Sequence, residues 1–149
     1  MKNIRSKLVG LFKKGYCTPQ ISRIAKELKE PSTTLHYNIK KLEEEEVIKT
    51  YKAVFDYKKI DEGHCTYIMV NLIPGKYSDP EEVAEKIAKD DRVESVDIVT
   101  GDYELLIKLR TKDIGQYYEY VKNAIKRYGF SKTVSMTSLK QVKSEFVKV

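Results

Sequence analysis

The sequence predicts an α+β protein in two parts. The first is an N-terminal three-helix domain of the winged helix-turn-helix kind, and the second is a C-terminal ferredoxin-like domain with the order βαββαβ. Three observations predict it. Apolar residues recur at helical spacing through residues 1–48. From residue 49 onward, strand-like and helix-like segments alternate, separated by glycine, proline and aspartate. The charge divides along the same line: residues 1–60 hold 14 Lys+Arg against 7 Asp+Glu, and residues 61–149 hold 14 against 15. The expected domains are therefore 1–60 and 61–149.

In the first part, Ile4, Leu8, Leu11 and Phe12 set out a helix ending before Gly15, expected to complete a three-helix core. Thr18 is expected to cap a second helix, with Pro19 at its first position and Ile21, Ile24, Ala25 and Leu28 as its buried stripe. Pro31 stops it, because proline pushes the preceding residue out of the helical region. Ser32 or Thr33 is expected to cap a third helix that buries Leu35, Ile39 and Leu42. The face left free carries Ser32, Thr33, Thr34, His36, Tyr37, Lys40 and Lys41. Hydroxyls and lysines can hold phosphates, and Thr, His and Lys can reach base edges. An ordinary helical hairpin with a solvated face would look similar. The basic excess of residues 1–60 tips the reading toward a helix offered to the major groove of double-stranded DNA. Glu43–Glu46 is expected to be a solvated helix end turned away from phosphates. Lys49–Tyr57 then reads as a linking strand, with Tyr51, Ala53 and Phe55 on one face.

In the second part, His64–Ile73 is the first strand, broken by Pro74-Gly75. Asp79 caps a helix with Pro80 in its first turn and Val83, Ile87 and Ala88 facing inward. Val93–Thr100 and Tyr103–Arg110 are strands joined by a tight Gly101-Asp102 turn. Asp113 caps a long helix packed through Tyr118, Val121, Ile125 and Tyr128 and stopped by Gly129. A last strand covers Ser131–Val142. The first strand is apolar almost throughout, so both its faces should be buried. Two helices cover only one face, and a second copy of the sheet is expected on the other, making a homodimer.

Composition excludes several classes. With 34% charged and 41% hydrophobic residues, the 149-residue chain reads as soluble and globular. No apolar run reaches the roughly 20 residues that span a bilayer, and the N-terminus lacks a signal-peptide core. Cys17 and Cys65 fit no zinc spacing and are expected to be free thiols in a reducing cytoplasm. His36 and His64 are the only histidines, and His64 and Cys65 point to opposite faces of a strand. No nucleophile triad, phosphate-cradling glycine loop or metal cluster is present, so no catalytic site, metal or cofactor is expected.

Several motifs carry a family resemblance. They are Ile24-Ala25-Lys26-Glu27-Leu28, the run from Leu42 to Ile48, Thr50-Tyr51-Lys52-Ala53, and the sharpest, Val99-Thr100-Gly101-Asp102-Tyr103-Glu104-Leu105-Leu106. In this order they resemble the Lrp/AsnC, or feast/famine, transcription regulators. The resemblance implies a regulator whose DNA binding or assembly responds to a free amino acid held between subunits. It implies homodimers, and often tetramers or octamers. The pocket it implies is formed by Thr100, Gly101, Asp102 and Tyr103, with Lys122, Thr133 and Ser135 at the side-chain end. A turn built on glycine exposes backbone amides that can receive an α-carboxylate, and Asp102 could take the ammonium. A lysine at the far end would disfavour a cationic ligand. Three departures stand out. Lys29 and Glu46 occupy corners where the family usually has glycine, and the third helix lacks arginine, the commonest reader of guanine. Two other readings compete: a chromatin-like organiser with little sequence preference, and a regulatory subunit that docks on a metabolic enzyme.

Overall fold

The computed structural model describes residues 2–144 and 147–148, which form two compact units, Met1–Val54 and Phe55–Val149. The division falls a few residues before the expected boundary at 60/61.

The first unit contains α1 (Lys2–Lys13), α2 (Ile21–Leu28) and α3 (Ser32–Glu44). Each helix is followed by a residue with positive φ: Gly15 (87°), Lys29 (55°) and Glu46 (55°). After α1, Tyr16 N–H reaches back to the Leu11 carbonyl at 3.2 Å. After α2, Glu30 N–H reaches the Ala25 carbonyl at 3.2 Å. Such six-to-one bonds form only when the intervening residue is left-handed.

The expected caps are corrected. Neither Thr18 nor Pro19 belongs to α2, whose N-cap is Gln20, and Pro31 rather than Ser32 or Thr33 stands at the N-cap of α3. Neither cap makes a side-chain bond. The expected three-helix core is also thinner than its pattern suggests. Leu35 alone is buried among the described residues of this unit, while Ile4, Leu8, Leu11, Phe12, Leu28 and Leu42 stay exposed. Residues 49–56 form no strand and join no ladder. The alternation survives all the same: Tyr51, Ala53 and Phe55 are half-buried, and Lys52, Val54 and Asp56 are exposed. A 3₁₀ turn, Tyr57–Ile60, follows.

The second unit is a four-stranded antiparallel sheet with two helices on one face. Its strands are β1 (His64–Leu72), β2 (Val93–Ile98), β3 (Leu105–Thr111) and β4 (Phe130–Thr137), in the spatial order β2-β3-β1-β4. The helices are α4 (Pro80–Ile87) and α5 (Ile114–Tyr128). β4 ends at Thr137, short of the expected Val142, and β5 (Lys143–Ser144) and β6 (Val147–Lys148) form a separate small pair. Asp79 and Asp113 cap their helices as expected, accepting from Glu82 N–H at 3.2 Å and Gln116 N–H at 2.9 Å.

The core joins Ile68, Val70, Leu105, Ile107 and Leu109 of the sheet to Val83, Ile87, Tyr120, Ala124 and Tyr128 of the helices. The inward face of α5 matches the expected one only in part: Tyr128 lies in the core and Val121 packs against it, but Tyr118 and Ile125 are 61% and 42% exposed. Ala88 is exposed too, and Ala84 packs in its place. β1 is not buried equally on both sides. Thr66, Ile68, Val70 and Leu72 lie in the core, whereas Tyr67, Met69 and Asn71 on the opposite face are half-buried.

That opposite face is graded along its length. At one end the chain closes it with a polar cluster. Glu94 accepts from Arg110 Nε at 2.6 Å and Lys108 Nζ at 3.0 Å, Gln141 accepts from Arg110 at 2.6 Å, and the Arg110 guanidinium lies 4.0 Å from the Tyr57 ring. The middle carries Met69, Leu106 and Val134, side by side by register. The other end is the β2–β3 turn. Among the described residues, no helix is long and apolar enough to cross a membrane.

Candidate functional site

Two places gather the polar residues that the sequence singles out, one in each unit. In the first, Ser32, Thr33, Thr34, His36, Tyr37, Lys40 and Lys41 are all exposed, and Tyr37 is 69% exposed. α3 is anchored by Leu35 and, half-buried, Ile39, so most of its circumference is open. Lys40 and Lys41 meet Glu44 and Glu45 at 3.6 and 3.7 Å, one turn on. Such exposed i,i+4 pairs are worth only about 0.3–0.5 kcal/mol, so a phosphate can take over either lysine. Within the acidic run, Glu43 accepts from the Tyr51 hydroxyl at 2.7 Å.

In the second unit, Thr100–Tyr103 caps the β2–β3 hairpin. Gly101 has φ of 106°, and nothing lies within 4 Å of where its Cβ would be. The Val99 N–H closes the loop on the Glu104 carbonyl at 3.0 Å. Among the described residues, the amides of Thr100, Gly101, Asp102 and Tyr103 donate to no protein acceptor. A run of unpaired amides around a positive-φ glycine is a concavity suited to an anion.

Three residues stand beside this turn: Asn71 and Lys132, which sequence reasoning passed over, and Glu104, which it quoted within the turn motif but gave no role. The Glu104 carboxylate accepts from Leu72 N–H at 2.8 Å, and the Asn71 carboxamide lies 3.4 Å from the same oxygen. Asn71 also donates to the Asp102 backbone carbonyl at 2.5 Å. Lys132 faces Asn71 across the β1–β4 ladder, and its Nζ lies 6.0 Å from the centre of the Tyr103 ring. Only strand register brings Asn71 and Lys132 to the Glu104 of the turn motif, and no local motif signals those two. The expected far-end residues are placed differently. Lys122 lies on α5 with its Nζ 5.9 Å from the Tyr118 ring. Thr133 and Ser135 pair with the core residues Val70 and Ile68, so they lie on the core side of β4, where Thr133 is half-buried and Ser135 exposed.

Elsewhere the titratable groups are structural. Burial raises Glu94, but hydrogen bonds from Arg110 and Lys108 outweigh it and hold the carboxyl below its usual range. Burial pushes the Cys65 thiol up, opposed by the nearby Arg110 and Lys108 charges, so the thiol stays protonated. Burial likewise raises the Tyr120 hydroxyl. A cleft of about 560 Å³ is lined by Lys86, Lys89, Asp90, Arg127 and Tyr128. Its basic residues lie at the C-terminal ends of α4 and α5, where they answer the negative ends of the helix dipoles. Among the described residues, no group of three His, Cys, Asp or Glu could hold a metal ion.

The Lrp/AsnC ligand binding domain model matches residues 65–147, a span that includes the whole turn, β2, β3, β4 and all of β1 but its first residue. An uncharacterised HTH-type transcriptional regulator of Pyrococcus abyssi is 34% identical over 126 residues, 84% of each chain. Among solved structures, an AsnC family transcriptional regulator from Agrobacterium tumefaciens has a similar fold, with a TM-score of 0.76 at 19% identity, covering 97% of this chain and 94% of that one. A transcriptional regulator from Neisseria meningitidis, solved as a complex with L-Met, also scores 0.76 at 20% identity, covering 94% and 90%. On the match across the second unit and the shared sequence running through both units, the protein belongs to the Lrp/AsnC family of transcription regulators.

Proposed function

We propose that this protein is a cytoplasmic, sequence-specific regulator that lays α3 in the major groove of duplex DNA and responds to a free amino acid bound at the Gly101 turn. The observation that carries the DNA half is the open face of α3, with its hydroxyls, His36, Tyr37, Lys40 and Lys41 all exposed. The basic excess of residues 1–60 supports it. The ligand half rests on the four unpaired amides of the turn. They suit an α-carboxylate, with Lys132 beside them as a counter-charge and Asp102 for the ammonium.

A second copy of the chain is the partner for the surfaces left apolar, namely the middle of the open sheet face and the exposed stripe of α1. A dimer would offer two α3 helices to successive turns of a pseudo-palindrome. Dimers can build tetramers or octamers, and an effector acts by favouring one assembly over another.

Gel-shift titration over a salt series tests the DNA half. Binding should fall steeply with salt, and Lys40→Glu with Lys41→Glu should abolish it. If all four lysines of a dimer meet phosphates, removing them takes about 3–4 off the log–log salt slope. Binding that is absent or insensitive to salt overturns the reading. Because α3 has no arginine, equal affinity for random and selected duplexes would instead favour the organiser of little sequence preference.

A further inference from the structure

We propose that Asn71 and Glu104 are positioning residues for the ligand turn, holding its free amides in the orientation that receives a carboxylate. The inference rests on the amino-acid reading above and names what sets that site.

A hairpin needs neither side chain. The β2–β3 ladder and the Val99–Glu104 backbone bond already close it. Yet both side chains tie the loop to the end of β1, a central strand of the sheet. Glu104 spends its carboxylate on the Leu72 amide, and Asn71 holds the Asp102 carbonyl. The second bond has a geometric consequence. In a trans peptide the C=O and the following N–H point in opposite directions. Drawing the Asp102 carbonyl onto Asn71 therefore turns the Tyr103 N–H away from β1, toward the open side of the turn. Without that bond the Asp102–Tyr103 peptide plane is free to rotate, and the Tyr103 N–H loses that direction. Glu104 acts one step back: its N–H already joins the root of the loop to the Val70 carbonyl of β1 at 3.0 Å, and its carboxylate reinforces that root through Leu72. Its role is that of an acceptor and does not need a charge.

Two measurements on the full-length chain test this. The first is the backbone order parameter of Gly101–Tyr103 by nitrogen-15 relaxation. Wild type should be near the rigid value of about 0.85, and Asn71→Leu should fall toward the flexible range of about 0.6. An unchanged order parameter overturns the proposal. The second is thermal shift against each of the twenty L-amino acids at fixed concentration. The amino acid that shifts wild type most should bind Asn71→Leu and Glu104→Ala at least tenfold more weakly. Glu104→Gln should stay within threefold, because its amide oxygen can still accept from Leu72. If Glu104→Gln is as weak as Glu104→Ala, the charge itself meets the ligand and the positioning role is wrong. Silence of wild type toward all twenty sinks the amino-acid reading on which the proposal rests. A wild-type response that Asn71→Leu retains sinks the positioning role alone.

Discussion

All three helices of the first unit stop on a left-handed residue, but only the first stop is a glycine. A side chain in that region costs roughly 1–2 kcal/mol, through contact of Cβ with the following carbonyl oxygen. Lys29 and Glu46 both bear this cost, at the two corners where the family usually has glycine. Replacing either by glycine removes the strain but loosens the unfolded chain, which returns roughly 0.4–1 kcal/mol. The net gain is about 0.5–1 kcal/mol per site. No hydrogen bond joins the two sites, so Lys29→Gly with Glu46→Gly should stabilise by about 1–2 kcal/mol. For a unit this small, that raises the midpoint by about 5–10 °C. The assay is thermal unfolding of the full chain followed by far-ultraviolet circular dichroism. Lys29→Ala is the decisive control, since it removes the same side chain and keeps the strain. A gain from Lys29→Ala equal to that from Lys29→Gly would refute the backbone explanation. Gly15→Ala runs the experiment backwards. It adds left-handed strain, and its Cβ would meet Thr50 Oγ1 at 2.8 Å and the Tyr51 carbonyl at 2.9 Å, so the midpoint must fall.

Other outcomes follow from the second unit. Gly101→Ala meets no neighbour but keeps a φ of 106°, so it should cost about 1–3 kcal/mol in denaturant unfolding and blunt any amino-acid response. Glu94→Gln leaves the buried Arg110 and the half-buried Lys108 without their shared carboxylate and should cost about 3 kcal/mol. Arg110→Met leaves the Glu94–Lys108 pair intact, so urea titration should show the smaller loss. Because the folded Glu94 carboxyl sits below its ordinary range, its contribution is full above the unfolded value of about 4.3 and is lost as the pH falls through the folded one. Urea midpoints from pH 6 to pH 3 should therefore fall less in Glu94→Gln than in wild type. Asp113→Ala frees the Gln116 amide at the start of α5 and should cost about 1 kcal/mol, read by the same titration.

What the sequence showed well was whatever depends on neighbours along the chain. The period switches, the Asp79 and Asp113 caps, the Gly129 stop and the Gly101 turn are all local chemistry. The misses have specific causes. α2 begins late because the Gln20 carbonyl, not the Thr18 side chain, receives the first turn's amides, from Arg23 and Ile24 at 3.1 Å. α3 begins early because Pro31, already extended at φ −62° and ψ 142°, takes the cap place and leaves Ser32 helical. On α5 two apolar stripes compete, one through Tyr118 and Ile125 and one through Tyr120, Ala124 and Tyr128. Hydrophobicity alone does not choose between them, and the sheet selects the second. The linking segment has strand alternation without strand pairing: residues 49–56 join no ladder, although β2 and β4 are both edge strands. The site divides in the same way. Its turn is a contiguous motif that includes Glu104, whereas Asn71 and Lys132 reach it only through register.

On the proposed reading, the two faces of β1 give one strand two tasks, stability and recognition. Its even-numbered residues, Thr66 to Leu72, fill the core with branched side chains and admit little change. The odd-numbered residues vary in character along the opposite face. Cys65 is sealed in beside the Glu94 cluster, Tyr67 and Met69 form a half-buried apolar middle, and Asn71 braces the turn. A ligand at the turn and a second copy over the middle would then touch neighbouring residues of a single strand. Each could alter the affinity of the other without any change in the core, and linkage requires the coupling to be equal in both directions. Under the proposed function the sheet is where sensing and assembly would be joined, and the alternation of one apolar strand is the sequence feature that would join them.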